Sequence, residues 1–194
     1  MSKLFVDQVD PKTATTLTLG TSGDTISIPS GVTIANAGTA TGFGISSANT
    51  PMFAVKMNAN QVPSNGVFTL MTFDTEEVDT DNAFTNTASN YKFTVPSGKA
   101  GKYFIYAFTL INGNSNNNLI EGALAIYKNG SSAVESIQNV RNSRVRYSTQ
   151  YASHIFDLSV GDYIQVYALG DTDDGSLKFN SGVNSAFGGY KLTW

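Results

Sequence analysis

The side chains best placed to do chemistry lie in two acidic stretches, one arginine group and one asparagine-rich turn. Asp74, Glu76, Glu77, Asp79 and Asp81 set oxygen donors at near-alternate positions, as calcium loops do, but without the Gly and closing Glu of an EF-hand. The run therefore reads as a solvated loop. Asp171, Asp173 and Asp174 in LGDTDDGS repeat the pattern between two strands; no cofactor is expected there, with a structural calcium as the alternative. The single histidine, His154, has no cysteine or second histidine to share a zinc ion and reads as a structural strand residue. Arg141, Arg144 and Arg146 are the one basic concentration, with Arg144 and Arg146 expected on one strand face, where guanidinium groups could meet an anionic sugar or phosphate. A solvated face or ion pairs between subunits is the plainer reading. The turn NGNSNNN, Asn112 to Asn118, offers small polar side chains on a connecting loop. The receptor-contact candidates are thus Asn114, Asn116, Asn117, Asp171, Asp173, Asp174, Arg144 and Arg146. No nucleophile elbow, phosphate-binding loop, dinucleotide fingerprint or HExxH helix occurs, so no catalytic residue and no metal ligand is assigned, and no enzyme is expected.

These residues need a scaffold, and composition narrows it. The chain has 194 residues, 14% of them charged, with a formal net charge of -3. That gives neither a basic surface for nucleic acid nor a charge block. Cysteine is absent, so stability must come from packing and association rather than disulfides. The first residues, MSKLFVDQVDPKT, lack the apolar stretch of a signal peptide, and nowhere do about 18 apolar residues run together. The expectation is a product made in a cytoplasm, with no membrane insertion.

From Pro51 to Trp194 the pattern is all strand. MFAVKMN, GVFTLMTF, KFTV, KYFIYAFTLI, LIEGALAIYKNG, SRVRYSTQYASHIFDL, DYIQVYALG, LKF and FGGYKLTW are rich in β-branched and aromatic residues and divided by Asn, Gly, Ser and Asp. Short strands at this spacing predict a sandwich or jelly roll. In Lys102 to Ile111, Tyr103, Ile105, Ala107, Thr109 and Ile111 oppose Phe104, Tyr106, Phe108 and Leu110. Both faces are apolar, which implies burial on both. Tyr163 to Leu169 behaves similarly, with Tyr163, Tyr167 and Leu169 opposed by Ile164, Val166 and Ala168. Exposed aromatic patches of that size mark interfaces. The expectation is a homotrimer with Tyr103, Phe104, Ile105, Tyr106, Phe108, Tyr163, Tyr167 and Leu169 along its threefold axis, leaving open which face lines it.

Upstream, TTLTLGTSGDTISIPSGVTIANAGTATGFG holds three short alternating runs that place Leu17 with Leu19, Ile26 with Ile28 and Val32 with Ile34 on one face. Strands this short cannot bury two apolar side chains alone, so neighbouring copies must supply the partner. The reading is three parts: residues 1–14 an anchoring segment, 15–50 a β-rich trimeric stalk and 51–194 a head.

Phe73, Asp79, Phe84, Phe93, Gly101 and Tyr103 fall in the order of an aromatic, an acid, a second aromatic, a strand Phe and a Gly-x-Tyr, and FGGYKL closes the chain with Phe, Gly and Leu in register. On these residues the head resembles the complement C1q-like family, which implies a jelly roll like that of tumour necrosis factor, a trimer, and a binding rather than catalytic role. Two of the spacings, Phe84 to Phe93 and Phe93 to Gly101, are longer than in the family, so those loops differ. SGDTISIPSGVTI with ANAGTATGFG is similar to the shaft-proximal sequences of bacteriophage short tail fibre and head fibre proteins. The fold class expected is therefore all-β, a C1q/TNF-like jelly-roll sandwich behind a short intertwined β-stalk. The function the resemblances imply is a virion protein that binds a host surface glycan or protein during adsorption. It would be docked on other virion proteins through its N-terminus and displayed on the particle surface. A capsid or collar decoration without a receptor is the first alternative and a soluble C1q-like lectin the second.

Overall fold

The computed structural model describes residues 16, 18, 20–33, 35, 49–87, 89–114 and 117–193. Contacts divide the chain into two units, Met1–Gly44 and Ile45–Trp194. In the first, the described residues form turns only: Thr21 N–H and hydroxyl both donate to the Asp24 carboxylate, at 2.7 and 3.0 Å. The three short strands expected there are not formed among them. Ile26, Ile28 and Val32 are 60%, 44% and 58% exposed, which is what runs too short to pair within one chain must do. Leu17, Leu19 and Ile34 lie outside the described residues.

The second unit is built from β1 (Met52–Lys56), β2 (Thr69–Leu70), β3 (Thr75–Asp79), β4 (Phe84–Thr87), β5 (Asn90–Thr94), β6 (Gly101–Asn112), β7 (Leu119–Lys128), β8 (Ser131–Asn139), β9 (Tyr147–Leu158), β10 (Tyr163–Thr172), β11 (Lys178–Phe179) and β12 (Ser185–Lys191). One sheet runs β9-β6-β12-β1-β3, with β11 continuing the β12 side of β6; the other runs β4-β5-β10-β7-β8, with β2 on β10. Every pairing is antiparallel. The chain crosses between sheets after β1, β2, β3, β5, β6, β8, β9 and β10, so its strands interleave as a jelly roll. Among the described residues no helix is long and apolar enough to cross a membrane.

The acidic run at 74–81 is not a loop. Its centre is β3, an edge strand on β1, where a Lys56–Glu77 ion pair spans the two strands. Asp79 turns its carboxylate back onto the backbone, accepting from the Ala83 and Phe84 N–H groups at 3.0 and 2.9 Å. That fixes Phe84 over the core.

Between the sheets the aromatic side chains make one cluster. Phe53 stacks on Phe93 at 4.5 Å and takes Phe187 edge-on at 4.9 Å, while Phe73 and Phe84 reach Phe187 at 5.6 and 5.9 Å. Tyr103 meets Phe93 at 5.5 Å and donates its hydroxyl to the Lys99 carbonyl at 2.6 Å. Gly189 is small because nothing larger fits: a Cβ there would lie 2.5 Å from Ile105 Cδ1 and 2.7 Å from the Phe104 carbonyl oxygen. At the far edge a polar seam replaces aromatics. Ser148 donates to Gln138 at 2.5 Å, Ser136 to Gln150 at 3.2 Å, and Gln150 to Ser148 at 2.7 Å, joining β8 to β9 across the sandwich.

The β7–β8 connection is the two-residue turn Asn129–Gly130, both at positive φ (51 and 80), the twist a tight hairpin requires. Asn129 accepts from the Tyr163 N–H at 2.9 Å and donates to Asp162 at 2.8 Å; Lys128 pairs with the same carboxylate at 2.9 Å. The Asn129 bond first, then Lys128 and the Ser159 N–H, hold Asp162 at about 2.

Two outcomes follow from this packing. Gly189→Ala should destabilise the sandwich by about 1–3 kcal/mol, as overpacking does. Calorimetry would read this as a midpoint lowered by about 2–4 °C per kcal/mol. Asp162 has a depressed folded pKa, so its stabilisation is complete above the unfolded carboxylate value and is lost as pH falls from about 4 towards 2. Asp162→Asn should therefore lower the midpoint at neutral pH, with the difference from the parent closing by pH 2.

Candidate functional site

Alternation along β6 sends its two apolar faces to different places. Tyr103, Ile105, Ala107, Thr109 and Ile111 are fully buried between the sheets. Tyr103 and Ile105 are thus core residues of one chain and cannot line an axis between chains. Phe104, Tyr106, Phe108 and Leu110 form the outward face and are half-buried.

Neighbouring strands extend that face. Register places Ile155 beside Phe104 and Tyr151 beside Phe108 on β9, and Tyr190 beside Phe104 on β12. Phe104 meets Tyr190 at 5.7 Å and Tyr106 at 6.3 Å. Gly188 lies directly beneath Tyr106; a Cβ would be 2.5 Å from its hydroxyl, so this glycine lets the ring lie across β12. Burial, then Glu77 and Tyr151, push the Tyr106 phenol above its ordinary range, so it is a neutral donor at physiological pH. Tyr147, Tyr151 and Ile155 remain 47%, 54% and 52% exposed. Tyr151, Ile155 and Tyr190 lie outside the face expected from the sequence, although the alternation of Tyr151 and Ile155 against Ala152 and Phe156 on β9 signals two of them. The result is one broad aromatic and aliphatic sheet surface, the kind that marks an interface.

Tyr163, Tyr167 and Leu169 do not belong to it. They lie on β10, in the other sheet, facing the opposite outer side of the sandwich. The two doubly apolar strands therefore cannot line a single axis. They serve two surfaces, separated by the full thickness of the core.

The loop candidates do converge. Asn114 and Asn117 (after β6), Arg144 and Arg146 (before β9), and Asp171, Asp173 and Asp174 (the end of β10 and beyond) gather at the end of the sandwich away from Pro51 and Lys191. Asn116 lies outside the described residues. Arg144 and Arg146 sit in the β8–β9 connection rather than on a strand face, because β9 begins only at Tyr147. Their charges are used within the protein. Arg144 pairs with Asp173, and Arg141 approaches Asp171 at 3.9 Å. Arg146 donates to the Asn114 carbonyl at 2.7 Å and stacks on Tyr147 at 4.9 Å. Asp174 accepts from Asn118 at 2.7 Å and from the Ser176 N–H at 2.9 Å, while Asn65 bonds Asp171 and Thr172 at 3.0 and 2.8 Å. Among the described residues no three His, Cys, Asp or Glu side chains are grouped to hold a metal ion. His154 is exposed and edge-on to Phe156 at 5.0 Å.

No protein-family model matches the chain, and no curated protein sequence matches it. Among solved structures it is similar to the globular domain of the zebrafish complement 1qA protein, with a TM-score of 0.51 and 14% identity, over 74% of this chain and 98% of that one. At such identity the likeness is one of fold, and it agrees with the interleaved strands and the aromatic core: the second unit is a C1q-like jelly-roll β-sandwich.

Proposed function

We propose that this chain is a non-enzymatic, homotrimeric fibre protein of a bacteriophage particle, whose C1q-like head meets the host surface. The observation that carries the trimer is the outward face of β6, β9 and β12. Phe104, Tyr106, Phe108, Tyr151, Ile155 and Tyr190 leave a single chain with a surface that three copies packed about an axis would cover. The exposed Ile26, Ile28 and Val32 support the same reading for the stalk. The phage setting rests on the resemblance of residues 22–44 to fibre shafts. Adsorption would use the loop cluster remote from Pro51, where three weakly binding copies gain strength through multivalency.

One observation favours a second reading. The arginines and aspartates of the loop cluster are matched to one another, which suits a capsid or collar decoration as well as a receptor contact.

Light scattering on the purified protein should return three times 20.7 kDa at micromolar concentration, and Phe108→Asp with Ile155→Asp should return the single-chain mass. A monomeric parent would remove the trimer. Labelled trimer that fails to bind host cells, while still occupying the particle, would favour decoration over adsorption.

A further inference from the structure

The segment ahead of the head carries a repeat that neither the sandwich nor the loop cluster uses. Ser22, Gly23, Asp24, Thr25 and Ile26 recur eight residues on as Ser30, Gly31, Val32, Thr33 and Ile34, identical at four of the five positions. The backbone of the two turns repeats as well. Asp24 N–H donates to the Thr21 carbonyl at 3.0 Å and Val32 N–H to the Pro29 carbonyl at 3.2 Å. The third residue of each turn is a glycine at positive φ, Gly23 at 97° and Gly31 at 86°, as a type II turn requires.

The one mismatch has a physical reason. Asp24 accepts from both the N–H and the hydroxyl of Thr21. In the second turn Pro29 stands where Thr21 does, with neither an N–H nor a hydroxyl to offer. A carboxylate at position 32 would have nothing there to accept, and an apolar Val takes its place. The two turns differ at both positions together, as two versions of one unit do.

Between the turns, alternation puts Ile26 and Ile28 on one face and Thr25 and Ser27 on the other. Ile26, Ile28 and Val32 are exposed, and no strand among the described residues pairs with this run. Residues 25–34 hold no charge, and the Asp24 carboxylate is used in its own turn. A charged partner or surface therefore finds nothing to pair with. What complements the run is another of the same length, with its apolar pair at the same height and its turns at the same ends. The same segment of a second copy is such a run, and a rotation axis brings equivalent residues to one level.

We propose that residues 21–33 are two units of a turn-and-strand shaft, in which Ile26, Ile28 and Val32 of each copy pack in register against the same residues of the other copies. The inference rests on the homotrimer proposed above. The mismatch fixes the register: sliding one copy by one unit would set the Asp24 carboxylate against Val32, an apolar neighbour that cannot pair with it.

Hydrogen exchange on the full purified chain, read by mass spectrometry beside light scattering of the same sample, tests this. The parent should have the mass of three chains, and its amides at 25–33 should exchange more slowly than in an unfolded chain. Ile26→Asp should abolish that protection while the mass stays that of three chains, because the face of β6, β9 and β12 still holds the copies together. Ser27→Asp, on the opposite face, should preserve the protection. A trimer whose amides at 25–33 exchange at the unfolded rate overturns the shaft and leaves the trimer standing. Protection that survives Ile26→Asp, or that Ser27→Asp removes, overturns it too. A parent of single-chain mass removes the trimer and the shaft with it.

Discussion

Six aromatic rings hold this sandwich at its spacing, and both outer faces owe their position to them. Phe53, Phe73, Phe84, Phe93, Tyr103 and Phe187 come from six different strands or strand flanks of both sheets, yet they touch as one body. Because side chains alternate along a strand, committing Tyr103 and Ile105 inward commits Phe104, Tyr106 and Phe108 outward. Committing Ile164 and Val166 inward does the same for Tyr163, Gln165 and Tyr167. The core thus sets the register of each strand, and the register decides which surfaces the protein shows.

Glycine makes that arrangement possible on β12. Gly189 opens the inner side to Ile105 and Phe53, and Gly188 opens the outer side to the Tyr106 ring. Two adjacent glycines weaken a strand by themselves, and here flat packing on both faces compensates. The polar seam of Ser136, Gln138, Ser148 and Gln150 closes the opposite edge without any aromatic, which leaves the edge strands β8 and β9 covered from within.

Much of the fold was legible in the sequence because its signals are local. Alternation identified β6, β7, β9, β10 and β12, and Asn129–Gly130 marks its hairpin by backbone requirement alone. The ordered motif from Phe73 to Tyr103 led to a C1q-like fold because each of its residues has a packing or capping task, down to the Asp79 carboxylate that anchors Phe84. What could not be read was anything decided between strands. The acidic run became β3 because β1 offered it a partner. Tyr163, Tyr167 and Leu169 parted from Phe104, Tyr106 and Phe108 because sheet membership follows from chain crossings, which no single strand records. Gln165 interrupts an apolar pattern, but its burial depends on its register against Tyr127 of β7 and on the segment after β2 that bonds Val166.

In the proposed trimer the two outer faces have different fates: that of β6, β9 and β12 is covered by further copies of the chain, and that of β10 and β7 stays open. Tyrosine nitration of the native protein, mapped by peptide mass spectrometry, reads this directly. Tyr151, 54% exposed in one chain, should be protected together with Tyr106 and Tyr190, while Tyr127 and Tyr163 react. Nitration of Tyr151 as fast as Tyr127 would contradict the assignment.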